Sequence, residues 1–525
     1  MLSFLLRAFF LACFVTNITL ATQVINIGNG AEPRDLDPQT VTGVPEHHIL
    51  LNIFEPLVGK DPKTLEPIPA VAESWKLSKD GKVYTFKLRT NAKWSNGQPV
   101  TAQDFIYAWT RLLTPATGAE YAYQGYYIKN GKDFYSGKIK DRSQIGLKAP
   151  DPYTLEVTLE NPTPFFLSLL YHHSLYPVHE ATVQKHGQRW TRPENIVTNG
   201  AFTVDKWEMN KIIRLKKNPH YWDKDKVALT EVNFYPTENL DTEEKMFRSK
   251  ELHVTNEIPL EKIPSWQKDK TGVYQQYPYL GVYYYWINVT KPPLNNKLLR
   301  KALALALDRE RIIKFVTRKG EMPAAAFTPP GTAGYFAKPR LPTDGREIAR
   351  AKELLAQAGY PDGKGLAPIE ILYNTHAGHK KIAEAIQQMW KQNLNVQVRL
   401  FNQEWKVYLD SQRTKNYQIA RAGWIGDYND PNTFLDLFLT GGGNNNAGWS
   451  NKTYDDLIAQ AAKELNPKKR LEIFQQAEDI LLDELPVIPI YIYTRAYLKD
   501  TSVMGWHPNI EDIHPLKFVS LSPKS

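Results

Sequence analysis

The sequence has almost no cysteine, and this excludes several kinds of site. Among 525 residues the only cysteine is Cys13, which lies in an apolar stretch near the N-terminus. If that stretch is removed on export, no thiol is left, and disulfides, cysteine nucleophiles and thiolate metal sites are excluded. An exported chain of this length must then depend on large apolar cores, and it is long enough to form two or three.

Long apolar runs and long basic runs are also missing. After the N-terminal segment, no stretch approaches the roughly 20 apolar residues that a membrane-spanning helix requires. The formal net charge of +9 comes from charges scattered along the chain, without the Lys/Arg runs that follow a phosphate backbone. We therefore expect no nucleic-acid partner.

Signatures of catalysis and of metal binding are equally scarce. The chain has no G-x-S-x-G elbow, no phosphate loop and no H-E-x-x-H motif. His376 and His379 have H-x-x-H spacing before a helix expected to begin near Lys380, but no third ligand is evident, so helix capping or contact with a ligand is the alternative to a metal. His172 and His173 are interpreted as a partly exposed pair. Residues 441–446 are interpreted as a flexible surface connection. We expect no catalytic site, no metal and no cofactor.

The N-terminal segment has the pattern of a targeting signal. Arg7 precedes an apolar core at residues 8–15, and Ala21 suits cleavage. We expect a signal peptide at residues 1–21 and a periplasmic mature protein. The alternative is lipidation of Cys13, which fits less well because the residues after it stay apolar.

The rest of the chain alternates between strand and helix patterns. Apolar alternation at 83–88 and 154–159, and the apolar run at 486–493, predict strands. Apolar faces at a period of 3.6 predict helices after Thr101 and at 296–318, 346–358 and 467–483. The pattern predicts a mixed α/β protein with several cores.

Residues 405–434 hold the most informative pattern. Arg421 and Asp427 stand six residues apart on either side of Trp424, after a short strand at 418–420 that is expected to end at the glycines. Strand ends of this kind often line a cleft. A buried charge needs a partner, so an opposite pair could hold a zwitterion such as a peptide. The alternative is that the two charges pair with each other or with solvent and that Trp424 is ordinary core.

Aromatic residues are abundant, with 28 tyrosines and 13 tryptophans. Core packing explains most of them. The cluster at residues 283–286 exceeds what an alternating strand requires, and large rings with polar tips often line ligand clefts.

Together these residues resemble a known family. Modest motifs occur in a specific order over essentially the whole mature chain, and they resemble the periplasmic oligopeptide-binding proteins of ABC importers, a cluster that also holds dipeptide, murein-peptide, nickel and haem binders. The motifs are at residues 36–38, 70–75, 94–105, 195–202, 218–222, 306–309 and 421–424.

The resemblance implies an α/β fold with two lobes around a cleft that closes at a hinge, and a third domain inserted near the N-terminus. It implies one lobe from residues 22–54, 181–280 and 495–525, an extra domain at 55–180, and a second lobe at 281–494.

The resemblance also implies a binding site. Asp427 matches the carboxylate that receives the ligand's α-ammonium, and Arg421 and His379 match groups near its far end. The backbone at Gly43, Val44, Gly423 and Ile425 matches segments that hold an extended ligand as an added strand. The remaining candidate ligand-binding residues are Trp424, Trp405, Tyr121, Tyr493, Tyr279, Tyr284 and Gln412.

Several positions depart from the family pattern. Thr42 replaces a common acid, Trp286 replaces another, and Thr317 and Gln412 stand where a lysine and an arginine are common. Arg318 and Arg413 follow directly, but as neighbours on a strand they are expected to face away. A cysteine pair of some relatives corresponds to Gly281 and Ile425. Capture of the ligand's carboxylate is therefore open.

The expected function is that of a non-catalytic, monomeric receptor that delivers short peptides to an inner-membrane ABC permease with its ATPase subunits. Alternatives with the same fold are binders of murein peptide, glutathione, haem or a metal chelate. A third class, an exported hydrolase, lacks its motifs.

Overall fold

The computed structural model describes residues 23–522, so the expected signal peptide and Cys13 lie outside the described residues. The strands are β1 Val24–Gly28, β2 Val58–Lys60, β3 Pro67–Pro69, β4 Ala72–Leu77, β5 Val83–Leu88, β6 Leu147–Asp151, β7 Thr154–Thr158, β8 Phe202–Glu208, β9 Ile212–Lys217, β10 Glu231–Tyr235, β11 Tyr274–Ile287, β12 Met322–Pro323, β13 Ile369–Asn374, β14 Val398–Gln403, β15 Ile419–Ile425, β16 Val487–Leu498, β17 Val503–Met504 and β18 Ser520–Leu521.

Helices connect and cover these strands. They are α1 Val44–Ile53, α2 Ala102–Leu112, α3 Gly131–Tyr135, α4 Phe166–Leu169, α5 Glu180–His186, α6 Leu240–Arg248, α7 Ile263–Trp266, α8 Lys297–Leu305, α9 Arg309–Ile312, α10 Ile348–Gln357, α11 Ala377–Leu394, α12 Trp405–Arg413, α13 Asn432–Leu435, α14 Lys452–Ala461 and α15 Pro467–Glu484. No helix within residues 23–522 combines the length and apolarity needed to cross a membrane.

Three larger sheets organise the described chain. The first has the order β1-β10-β9-β8, with β1 parallel to β10, and the second is the antiparallel β4-β5-β7-β6. The third has six strands in the order β12-β16-β11-β15-β13-β14. Its β13 runs parallel to both neighbours, while β11 and β16 are antiparallel. The expected mixed α/β architecture is confirmed.

Two long strands of the third sheet cross the predicted domain boundaries. β11 passes through residues 280 and 281, β16 passes through 494 and 495, and the two pair with each other. Their register is interrupted between Pro278 and Val282. The domain boundaries remain a prediction. The chain does pass these two boundaries in β11 and in β16, two strands that pair with each other.

Two large apolar cores hold the molecule together. One lies around the third sheet, and the other is shared by the first and second sheets. Tyr121 and Tyr123 come from the segment of the second sheet but pack into the core of the third. The loop that carries them is therefore fixed against the third sheet.

Most local predictions hold, for identifiable reasons. The capping box of Thr101 and Asp104 opens α2, and Gly359, with φ +96°, follows the end of α10. The single helix expected at 296–318 is wrong. The chain leaves the helix at Ala306, and the Asp308 side chain caps α9 by accepting from the Arg311 backbone.

Candidate functional site

A deep cleft runs along β15 and the start of α1. It contains two adjoining cavities with about 1220 Å³ and 980 Å³ of space between protein atoms, part of which is open to solvent. Both are lined by Gly43, Trp405, Arg421, Gly423 and Ile425, so they form one continuous space.

All fourteen candidate residues lie around this cleft. Twelve line the larger cavity, and His379 and Tyr493 line the smaller one. The structure therefore brings together residues from six separate parts of the sequence, which are 43–44, 121, 279–284, 379, 405–427 and 493. Their role in holding a ligand stays a prediction. The twelve are Asp427, Arg421, Trp424, Trp405, Tyr121, Tyr279, Tyr284, Gly423, Ile425, Gly43, Val44 and Gln412.

One edge of β15 is open towards the cleft. Along one side β15 pairs with β11 over its whole length, from Ile419 to Ile425. Along the other side it pairs with β13 only at Ile419 and Ala420. The strand continues through Gly423, so the expected break at the glycines is wrong. Residues 422–425 line the cavity without a second strand beside them, which leaves room for an extended ligand.

Asp427 lies at the end of this edge among neutral hydrogen-bond donors. Its side chain is only 8% exposed. Gln124 Nε2 donates to Oδ2 at 2.9 Å, Thr433 Oγ1 donates to the same oxygen at 3.3 Å, and His172 Nε2 lies 3.4 Å from Oδ1. No lysine or arginine of the described residues forms an ion pair with this carboxylate.

The hydrogen bonds of His172 define its tautomer. The backbone N–H of Ser174 donates to His172 Nδ1 at 3.3 Å, so this nitrogen carries a lone pair. The proton must then be on Nε2, which faces Asp427.

Arg421 carries the opposite charge, also without a charged partner. Its Nη2 donates to the Tyr493 hydroxyl at 2.9 Å, and its Nη1 donates to Asn374 Oδ1 at 3.3 Å. The guanidinium lies 4.8 Å from the centre of the Tyr283 ring. Its Nε is buried without a hydrogen-bond partner in the described chain. Arg421 and Asp427 do not pair with each other, which excludes that part of the alternative, whereas Trp424 does belong to the buried core of the third sheet.

The two histidines at the far end are neutral and half-buried. Helix α11 begins at Ala377, three residues before the expected start, and His376 occupies the N-cap position without a side-chain capping bond. Burial lowers the pKa of His376 to about 4, and burial together with Arg421 lowers that of His379 well below its usual value. Within residues 23–522 no group of three or more His, Cys, Asp or Glu side chains is arranged to hold a metal.

Two expectations about neighbouring segments are wrong. His172 and His173 are buried, because they pack against Tyr121 with ring centres 4.3 Å and 5.7 Å away. Residues 441–446 are not a loose surface connection. The buried Asn445 amide donates to the carbonyls of Phe438, Leu439 and Trp449.

The expected strand geometry at Thr317 and Gln412, and at the arginines that follow them, also needs correction. Thr317 ends a wide helical turn, and Gln412 lies in α12, so neither is on a strand. Gln412 is buried and donates to the Tyr408 hydroxyl and the Arg421 carbonyl. Arg413 points outward, where it pairs with Asp410. It does not replace an arginine at Gln412.

Two glycines allow close approach at the cleft. A Cβ at Gly43 would lie 2.0 Å from Glu46 Oε2 and 2.9 Å from the Trp405 ring. Gly281 and Ile425 are direct partners across β11 and β15, and a Cβ at Gly281 would lie 2.5 Å from Ile425 Cδ1. The position matched to a cysteine pair is thus a cross-strand contact.

Sequence reasoning missed the groups that surround Asp427. Gln124 and His172 lie about 300 and 250 residues away along the chain, and neither sits in a pattern that indicates a site. Glu120, which lines the larger cavity, was missed for the same reason. The packing of Tyr121 against Trp424, with ring centres 6.1 Å apart, and the hydrogen bond from Gln124 to Asp427 bring this loop to the cleft.

Comparison with known proteins identifies relatives that share this architecture. The chain is 42% identical over 492 residues to the periplasmic oligopeptide-binding protein OppA of Salmonella typhimurium, which covers 92% of this chain and 90% of that protein. The solved structure of Haemophilus influenzae OppA in complex with RPPGFSPFR matches with a TM-score of 0.91 and 36% identity, covering 95% of this chain and 99% of that one.

A third relative is informative about the state of the cleft. The Escherichia coli murein tripeptide binding protein MppA matches with a TM-score of 0.92 and 38% identity over 95% of this chain and 99% of that one. The unliganded open form of MppA, covering 95% of this chain and 98% of that one at 37% identity, reaches only 0.64. The arrangement described here is therefore unlike the open form.

Residues 66–446 match the bacterial extracellular solute-binding proteins, family 5 Middle. This match covers more than half of the chain and agrees with the relatives and with the two-lobed fold. The protein belongs to the bacterial extracellular solute-binding proteins of family 5.

Proposed function

We propose that this protein is a periplasmic receptor that binds oligopeptides in its cleft and delivers them to an inner-membrane ABC permease. The relatives named for oligopeptide binding support the ligand class. The relatives are receptors, and we propose that this protein, too, binds its ligand without transforming it.

The observation that carries the proposal is the environment of Asp427. A buried carboxylate held only by neutral donors is stable when a cation completes it. The α-ammonium of a peptide supplies that cation, and the open edge of β15 supplies main-chain partners for the residues that follow. Such bonds do not depend on side chains, so the receptor tolerates many sequences.

Arg421 supports a ligand that carries a negative charge at the end away from Asp427. Its guanidinium lines both cavities and has no carboxylate partner in the described chain. A peptide carboxylate, directly or through water, would complete it. We propose that the protein works as a monomer, that its first 21 residues are a cleaved signal peptide, and that a permease with ATPase subunits takes up the ligand.

A murein peptide is the second candidate ligand. The specific observation in its favour is the similarity to MppA, whose TM-score is as high as that of any relative described above. Asp427 does not separate the two, because both ligands carry a free amine. It does argue against haem and against a metal chelate, which lack one.

Mass spectrometry of the protein purified without refolding tests the proposal. We expect a mixture of short peptides with free amino termini. Calorimetry with trialanine and N-acetyl-trialanine then tests whether the free amino terminus is needed, and only trialanine is expected to bind well. A bound chromophore, or equal binding of both peptides, would contradict the proposal.

A further inference from the structure

One carboxylate in the cleft is not used by the binding mode described above. Glu120 precedes Tyr121 in the loop that reaches the third sheet, and it lines the larger cavity. Its side chain keeps 13% of its surface accessible. Among residues 23–522 its ionic contact is with Arg34 Nη1 at 3.8 Å, which is too long for a hydrogen bond.

The cation beside Glu120 is shared with a second acid. Arg34 Nη2 lies 3.9 Å from Asp410 Oδ1, and Asp410 in turn pairs with the outward-facing Arg413 at 3.4 Å. These are the charged groups that act on Glu120. Burial outweighs the attraction of the two arginines and raises the pKa of Glu120 to about 7.

Other acceptors without donors lie around the same part of the cavity. The Asn444 amide donates its N–H to the Tyr123 hydroxyl, which leaves its carbonyl oxygen without a donor in the described chain. The Gln412 amide donates to Tyr408 and to the Arg421 carbonyl, and its oxygen is likewise available. Gly443, which precedes Asn444, allows the chain to approach Glu120 closely, since a Cβ there would lie 2.3 Å from the Glu120 carbonyl.

Apolar side chains also line this cavity. Leu409 and Gln412 are three residues apart on one face of α12, and Leu409 and Trp286 contribute to the cavity lining. An aliphatic stem with a cationic end matches this combination of apolar walls and acceptors.

We propose that Glu120, with Asn444 and Gln412, forms a subsite for a basic side chain of the bound peptide. The receptor therefore favours peptides that carry lysine or arginine at one position. This inference rests on the proposed function, because it assumes a peptide held along β15.

The test uses six tripeptides. Lys-Ala-Ala, Ala-Lys-Ala and Ala-Ala-Lys are compared by calorimetry with the same peptides carrying norleucine in place of lysine. At one position, wild type is expected to favour lysine by about tenfold or more, the effect of a charged hydrogen bond. Glu120→Gln should abolish that preference, so that the lysine peptide and its norleucine counterpart bind the variant about equally.

A matched control is available in the neighbouring acid. Asp410→Asn removes the other carboxylate that touches Arg34 but does not line the cavity, so it should retain the lysine preference. If Glu120→Gln retains it, or if wild type shows no lysine preference at any position, the subsite is wrong while the peptide function stands. If none of the six peptides binds wild type, the function itself fails.

A second readout follows from the protonation of Glu120. A ligand cation beside the carboxylate lowers its pKa, so binding at pH 7 should release roughly half a proton. Calorimetry of the preferred lysine peptide in two buffers of different ionisation enthalpy measures this release. The release should be absent with the norleucine peptide and in Glu120→Gln, and equal release in both proteins would overturn the role of Glu120.

Discussion

At the scale of single residues, the cleft is defined by charges that the protein leaves incomplete. Asp427 has two neutral donors, with His172 beside them, and Arg421 has neutral acceptors. Desolvating such groups without a counter-charge costs free energy. A ligand that brings the counter-charges recovers this free energy, and the contribution of each residue can be measured with a single substitution.

Asp427→Asn should weaken a free-amine peptide by about two to three orders of magnitude, because losing one partner of a buried charge pair costs roughly 3–5 kcal/mol. The acetylated peptide should bind wild type poorly and lose little more in the variant. Calorimetry of both proteins with both peptides gives the coupling energy. Near-zero coupling would falsify the role of Asp427.

His172→Phe should weaken the free-amine peptide by about tenfold, because the polar imidazole beside the Asp427 carboxylate is lost. The acetylated peptide should be affected little. His173→Phe is the matched control, since His173 donates to the Val41 carbonyl and does not touch Asp427. Equal losses in the two variants would indicate a general disturbance of the loop instead.

At the scale of elements, β15 is the part of the fold that sets the ligand's direction. Its inner side is used by β11, whereas residues 422–425 present an edge to the cavity. Gly423 keeps this edge accessible, because a Cβ there would lie 2.5 Å from the Tyr493 hydroxyl. An exposed edge is normally a liability, and here it lies inside a cleft.

If a peptide pairs with this edge, N-methylation of one of its amides should reduce affinity at least about fivefold at the paired positions. The reason is that a carbonyl of β15 would be left buried without a donor. A scan of singly N-methylated trialanine and tetra-alanine, measured by competition, checks this. Tolerance at every position would mean that side chains, and not the strand edge, hold the ligand.

At the scale of the whole molecule, the cleft depends on how the parts close around it. Gly43 at the start of α1 approaches Trp405 at the start of α12, and Trp405 Nε1 donates to the buried Glu46 at 3.4 Å. The much weaker match to an unliganded open relative shows that this arrangement is not the open one. β11 and β16 supply the connection about which such a change can occur.

The ligand-free protein should therefore be less compact in solution than the complex. X-ray scattering with and without a saturating peptide is expected to show a smaller radius of gyration for the complex. N-acetyl-trialanine serves as the control, since it should leave the radius unchanged. Identical radii in all three samples would contradict closure.

Buried histidines make stability depend on pH. Burial lowers the pKa of His48 to about 4, with Arg495 and His514 acting in the same direction and Asp512 against it. As the pH falls below about 6.5, the unfolded chain takes up a proton that the folded state refuses, so stability is lost. His48→Gln should remove this loss, on the order of 1–2 kcal/mol between pH 7 and pH 5.

Urea unfolding at the two pH values measures the effect as a difference between variant and wild type. Comparison with wild type is needed because Glu243, whose pKa burial raises to about 8, acts in the opposite direction. His507→Gln is the control at an exposed position. If His48→Gln and wild type lose stability equally between pH 7 and pH 5, His48 is not held neutral by the fold.

The sequence by itself determined the local elements and the central pair of charges. Periodicity and capping residues predicted α2 and α15, because these helices depend on contacts within one turn and on one apolar face. Arg421, Trp424 and Asp427 were visible because they stand close together in the chain. The resemblance carried the more distant candidates, and the structure brings them to one cleft.

Only the tertiary structure decided what surrounds those charges. His172 looked like half of an exposed pair, and Gln124 and Glu120 looked like ordinary loop residues, because their partners lie hundreds of positions away. Strand β15 continues through Gly423 because β11 pairs with it. Burial and hydrogen bonding arise from packing between distant segments, and it is packing that gives these residues their electrostatic character.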